Sequence, residues 1–417
     1  MLAFVLGIWM WDRYFSPMIE YPVGTEEVAL LKIDRDLRLA DAMAEDPAWL
    51  RRFAGVEDTM VVRKKARWVL EGMEAHQVLG PRGMEAYPII LAEIEGVPVR
   101  QMVERLGATG EENAVDPALR RGSWWRARMI EAGMRVDASG WKARYESSLR
   151  TLRTRALAAS SLLGALILAG LFFIPATLKR VACGLKSRQQ GYAGAWTPAL
   201  GLTVFMVGTL AWIGYVGALD FGIEAIISLP ALMALLLDTA ARLLPSLIAI
   251  GFLFKQPSHV VRVLGLNKPP YVGLVLGAYA LLLLVQATLR LWPDGNDPEP
   301  GGGLSLADAG IDGLIFSIVS ACLIAPLAEE VLYRGILFRA LGNRLGVAAA
   351  AALSAIIFSA VHFYDLQGFL SVAMFGFVAA LLYAGTGSLV SVILLHVVHN
   401  VMIKIPTWVF YHAPIEW

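Results

Sequence analysis

From residue 156 to the end, 262 residues carry only 13 lysines and arginines and 12 acids, whereas residues 1–155 hold 23 of each. Nearly two thirds of the chain is therefore almost without charge. Apolar stretches of about 20 residues are long enough to cross roughly 30 Å of hydrocarbon. Inside that layer every backbone polar group must be satisfied within the protein, so only helices or a closed barrel can span it. The stretches here are continuous rather than alternating, which selects helices. Composition agrees: 57% of residues are hydrophobic and 17% charged, against about 25% charged in soluble domains.

The apolar runs predict an all-α, polytopic membrane helix bundle of about eight spans preceded by an extramembrane, mainly helical domain. The spans fall near Ala156 to Leu178, Trp196 to Leu219, Ile223 to Phe254, Pro270 to Trp292, Gly313 to Tyr333, Gly346 to His362, Phe369 to Ala384 and Leu389 to Phe410. The third exceeds one crossing and contains Pro230, Asp238, Arg242 and Pro245, so it reads either as one kinked helix or as a re-entrant piece plus a helix. The connecting loops alternate in charge. Lys179, Arg180, Lys186 and Arg188 follow the first span; Lys255, Arg262 and Lys268 follow the third; Arg339 and Arg344 follow the fifth. Acidic loops, around Asp220 and Glu224 and around Asp294, Asp297, Glu299 and Asp308, lie between them. Basic loops stay cytoplasmic, which puts the domain before Ala156 outside a cell membrane. Arg150, Arg153 and Arg155 run against that assignment.

Four segments follow. Residues 1–11 are an apolar stretch, from Leu2 to Trp11, that reads as an interfacial segment or a signal anchor. Residues 12–155 are the extramembrane domain, with apolar residues at helical spacing such as Val28, Leu31 and Leu37, or Met60, Val61, Trp68 and Val69. Residues 156–295 are the first membrane spans, and 313–410 the membrane core that holds the chemistry. The net charge of +1 and the lack of any basic stretch interleaved with aromatics exclude nucleic acid as a partner. Two cysteines, Cys183 and Cys322, build neither a disulfide framework nor a thiolate metal site. The expected partners are membrane lipids and a peptide or membrane-tethered protein.

Ionisable groups are costly inside a span and mark function. Glu329 and Glu330 close the fifth span in LIAPLAEEVLYRG, and Arg334 stands four residues after Glu330 on the same helical face. Glu329 lies about 100° further round, turned to something else. His362 follows Phe358 by four residues in FSAVHF, and His396, His399 and Asn400 lie in SVILLHVVHN. Each has an ordinary structural reading by itself. Together they set a carboxylate, imidazoles, a carboxamide and an ion pair on three spans of an otherwise apolar bundle. Glu329 can remove a proton from water that His362 helps to hold, for attack on a carbonyl. His396 and Asn400 can supply donors to the resulting oxyanion. Glu329, His362 and His396 are equally the ligand types of a catalytic zinc site, so zinc and a metal-free glutamate mechanism both stand. Both chemistries hydrolyse an amide.

Over residues 313 to 407 the chain resembles the CPBP family of intramembrane proteases, which includes CAAX prenyl endopeptidases of the Rce type and bacterial proteins linked to bacteriocin processing and self-immunity. Three motifs in family order carry the resemblance: EExxxR at Glu329, Glu330 and Arg334, FxxxH at Phe358 and His362, and HxxxN at His396 and Asn400. It implies an intramembrane endopeptidase, metallo- or glutamate-dependent. Glu329 and His362 would activate the water, His396 and Asn400 would stabilise the oxyanion, and Glu330 with Arg334 would hold the site together. His399 and the extramembrane domain lie outside the family pattern. Two other functions fit the same residues: a proton-coupled transporter using Glu329, Asp238 and the histidines as a relay, and a non-catalytic scaffold or immunity protein acting through residues 12–155.

Overall fold

A computed structural model describes residues 26–75, 79–106, 123–134, 140–186, 196–220, 231–289, 310–362 and 366–407. The apolar segment at 1–11, the beginning of the third span and the acidic loop before the fifth lie outside these residues. Among the described residues every regular element is a helix. The chain divides into two compact units, the main body of the first ending at Leu162 and the second comprising Leu163–Pro300 and Ile311–Lys404.

The first unit contains α1 (Glu26–Ala42), α2 (Ala48–Phe53), α3 (Thr59–Ala75), α4 (Pro81–Glu95), α5 (Val99–Leu106), α6 (Trp124–Glu131) and the start of α7 (Trp141–Lys186). Leu30, Ile33 and Leu37 of α1 meet Val62, Ala66 and Leu70 of α3, Ile89 and Ile90 of α4, and Trp124 and Trp125 of α6. The buried stripe of α3 is therefore not the one that Val61 and Trp68 suggest; those two are exposed. Trp124 is fully buried but keeps its polar edge satisfied, because its backbone N–H donates to Asp34 at 2.6 Å and its indole N–H to Asp41 at 2.7 Å. Arg128 lies over the same ring, 5.1 Å from its centroid, and bonds Asp41.

The second unit is a bundle of apolar helices. It takes in the rest of α7 and adds α8 (Pro198–Asp220), α9 (Ala231–Leu253), the short α10 (Pro257–Val263) and α11 (Val272–Leu289). A helical run then begins with α12 (Gly310–Ser317), continues through α13 (Ala325–Glu329) and ends with α14 (Arg339–Leu345). The chain finishes with α15 (Val347–Ala360), α16 (Leu366–Thr386) and α17 (Leu389–Thr407). Among the described residues five helices are long and apolar enough to cross a bilayer, and Val272–Ala287, Val347–Ala360 and Leu389–Ile405 are shorter apolar ones. This is a polytopic helical membrane bundle. Gly273 and Gly277 let α11 lie directly on α7: a methyl group on Gly273 would stand 2.7 Å from the Phe173 ring, and one on Gly277 would collide with Thr177. Small residues of this kind allow close backbone approach where lipid offers no hydrophobic drive.

The fifth span departs from its sequence reading. Arg334 and Gly335 mark its end at Tyr333 by hydropathy, yet the helix runs on to Leu345. Burial of Arg334 against Glu330 removes the reason to stop. Its winding also changes twice, because Ile318–Ile324 and Glu330–Phe338 are π-helical. Wide turns of this type recur at functional sites. In the first, the Ala325 N–H bonds the Ser320 carbonyl five residues back. Pro326 is next in that register and has no N–H to offer, so the Ala321 carbonyl needs another donor.

Candidate active site

The second wide turn starts at Glu330 and is preceded immediately by Glu329, so two consecutive carboxylates diverge from the junction. Glu330 is completely buried. Its Oε1 accepts from Nη1 of Arg334 at 2.9 Å and from Nδ1 of His396 at 2.7 Å. Arg334 is 1% exposed, and its guanidinium stacks 4.4 Å from the Phe358 centroid and 5.7 Å from that of Phe375. A charge so deeply buried is held by an ion pair on one side and by aromatic faces on the other. The helix carrying Phe375 must pass very close for this, and Gly376 permits it. A Cβ there would lie 3.1 Å from Ala355 and 3.2 Å from Nη2 of Arg334.

Glu329 has different surroundings. Its side chain is 24% exposed, with Oε2 3.8 Å from Nε2 of His396 and Oε1 4.0 Å from Nη1 of Arg242. His396 thus spans the two acids, one at each ring nitrogen. Arg242, on α9, is itself bound to Asp238 at 2.8 Å, and Ser320 donates to the same carboxylate at 2.5 Å. Asp238 and Arg242 therefore form a neutralised pair beside the site rather than a separate one.

His362 sits in the turn that ends α15. Its Nδ1 bonds the Phe358 carbonyl at 2.7 Å, and its ring packs on the Phe358 ring at 4.7 Å. Phe358 also lies 6.1 Å from His396, so one aromatic separates and orients both imidazoles. In each histidine Nδ1–H is given to an oxygen, which leaves Nε2 to face the site, as an acceptor in the neutral ring or as a donor in the doubly protonated one. Asn400 is one turn beyond His396 on α17. Its amide nitrogen donates 2.7 Å to the Ala321 carbonyl, the group that Pro326 leaves without a donor. His399 stacks on Phe375 at 4.7 Å, and its Nδ1 is buried without a hydrogen bond.

The structure thus brings Glu329, Glu330, Arg334 and His396 into one cluster, attaches His362 through Phe358, and ties Asn400 to the fifth span. Among the described residues no three His, Cys, Asp or Glu side chains come together as a metal-binding group. Of the three zinc candidates, Glu329 and His396 approach each other and His362 does not complete a ligand set with them. Sequence reasoning passed over Arg242, Ser320 and Phe375 as members of this neighbourhood. The first two had a signal as polar residues within apolar runs, Arg242 on α9 and Ser320 in the wide turn Ile318–Ile324; an aromatic on α16 had none.

Fold and cluster define a multi-pass helical membrane protein with an acid–imidazole site at membrane depth. Residues 311–402 match the family model described as Rce1-like, type II CAAX prenyl endopeptidase Rce1-like, and over this segment the chain is similar to that family. Over 95 residues the chain is 32% identical to the protein named "Putative membrane peptidase YdiL" of Bacillus subtilis (strain 168), a stretch that covers 23% of this chain and 38% of that relative. The chain thus spans well under half of the relative it matches. No solved structure matches it significantly.

Proposed function

We propose that the protein is an intramembrane endopeptidase that hydrolyses a peptide bond in a membrane-associated protein or peptide. The observation that carries this reading is the division of labour between neighbouring acids: Glu330 is buried and held at Oε1 by both Arg334 and His396, while Glu329 stays partly exposed 3.8 Å from Nε2 of His396. A carboxylate left open beside an oriented imidazole is the arrangement that general-base catalysis needs.

In this reading Glu329 takes a proton from a water held beside it and His362, and the hydroxide attacks the carbonyl carbon. The oxyanion forms against the second amide hydrogen of Asn400 and, with His396 in its doubly protonated form between the two carboxylates, against its Nε2–H. The proton on Glu329 then passes to the leaving amine. Glu330 and Arg334 keep His396 in place. The transporter relay is less well served, because the Asp238 carboxylate it would use is shared by Arg242 and Ser320.

The deciding experiment measures peptide cleavage by reconstituted protein with Glu329→Gln. The expected loss is at least about 100-fold, with insertion and melting behaviour unchanged. Retained cleavage would overturn the assignment. The same assay with and without chelator, beside metal content, separates glutamate from zinc chemistry.

A further inference from the structure

Helix α2 has no buried residue. Trp49 is 69% exposed and Phe53 43%, four residues apart on one face, and Arg52 beside them is exposed as well. An aromatic pair left bare on a short helix, with an arginine alongside, is a poor water-facing surface.

Its place on the chain explains it. Asp46, just before α2, takes both Nε and Nη2 of Arg153 at 2.7 Å. Arg153 is on α7, three residues before Ala156, where the charge ends and the apolar run to Leu178 begins. Three residues of helix rise about 4.5 Å. Trp49 follows Asp46 by three residues, about 10 Å of chain at full stretch. The exposed aromatics are therefore tethered beside the level at which α7 enters hydrocarbon. Arg150, Arg153 and Arg155 lie at the same level of α7. Tryptophan and phenylalanine partition into the headgroup boundary, and arginines add attraction to anionic lipid.

We propose that α2 is a lipid-contact element, in which Trp49 and Phe53 insert into the headgroup region of the bilayer that α7 crosses and Arg52 pairs with anionic phospholipid. The contact would hold the extramembrane domain's α1–α2 corner against the membrane surface. It is independent of the protease reading.

The test uses the full chain carrying Cys183→Ser, to remove the exposed thiol, and Phe53→Cys labelled with an environment-sensitive fluorophore. The protein is placed in nanodiscs of phosphatidylcholine with or without phosphatidylglycerol. Quenching by a shallow nitroxide lipid should exceed quenching by aqueous iodide roughly threefold in the anionic discs. That excess should shrink without phosphatidylglycerol, and again with Trp49→Ser and Arg52→Ser. Iodide as the stronger quencher would show a solvent-facing helix and overturn the proposal. Protection from both quenchers would show a protein partner on that face and overturn it equally.

Discussion

Nδ1 of His396 lies 2.7 Å from Oε1 of Glu330, the same oxygen that receives Nη1 of Arg334. One carboxylate oxygen thus fixes both a guanidinium and an imidazole. The His396 proton is pinned to Nδ1, so Nε2 is the nitrogen presented to Glu329 and to any substrate. The residue most deeply buried in the cluster sets the chemistry of the residue that is not.

Breaking this buried pair from one side should be costly. Glu330→Gln leaves Arg334 charged and 1% exposed, which costs about 3–5 kcal/mol. The double variant Glu330→Gln with Arg334→Met removes the stranded charge and should recover much of that loss. Cleavage should stay low in both, since His396 loses its charged acceptor. Denaturant melts in detergent, run beside peptide cleavage, check both halves.

Gly376→Ala sets two rules against each other. Helix propensity favours alanine by about 1 kcal/mol, but the new methyl would stand 3.1 Å from Ala355 and 3.2 Å from Arg334. One contact is backbone and the other a guanidinium fixed by Glu330, so neither yields easily. The expected result is a net loss of about 1–3 kcal/mol, read as a lower melting temperature.

Asn400 has two candidate roles that a paired substitution can separate. Asn400→Ala strips the donor from the Ala321 carbonyl and should cost about 1–3 kcal/mol. Adding Pro326→Ala returns a backbone N–H to the same register. If the melting temperature recovers while cleavage does not, the amide acts on the oxyanion as well as on the helix. Recovery of both would confine it to a structural part.

Asp46 predicts a small acid-side effect in the first unit. The hydrogen bonds from Arg153 hold its carboxyl below the usual value of 3.8. A lowered pKa in the folded state contributes stability above the unfolded value, lost as pH falls through the folded one. Arg153 is 45% exposed, so water screens the pair and the contribution is modest. Asp46→Asn should lower the melting temperature slightly at pH 7, where the pair contributes in full, and remove the wild type's further fall below about pH 4, so that the two converge in acid.

Much of this architecture was written in hydropathy. Each of the eight apolar runs corresponds to a helix or helical run among the described residues, five of them long and apolar enough to cross a bilayer. The i, i+4 spacing of Glu330 and Arg334 likewise pointed to their contact. What hydropathy misread was the end of the fifth span: a scale that treats Arg334 as a free charge cannot see the carboxylate and the two phenylalanines that neutralise it. The first wide turn was invisible for a related reason, since its Ala321 carbonyl takes its donor from Asn400, 79 residues further on. In the first unit, Val61 and Trp68 misled because they obey helical spacing on the wrong face. Phe375 joins the site only through the close pass of α16, which no local pattern encodes.

The bond from Asn400 to Ala321 also bears on biogenesis. A chain released into the bilayer before α17 has been made would carry a bare carbonyl in hydrocarbon, at a cost of several kcal/mol, together with a Glu330 lacking its imidazole. The fifth span is therefore finished only when the last one arrives, and truncated nascent chains should remain with the insertion machinery or be degraded rather than accumulate.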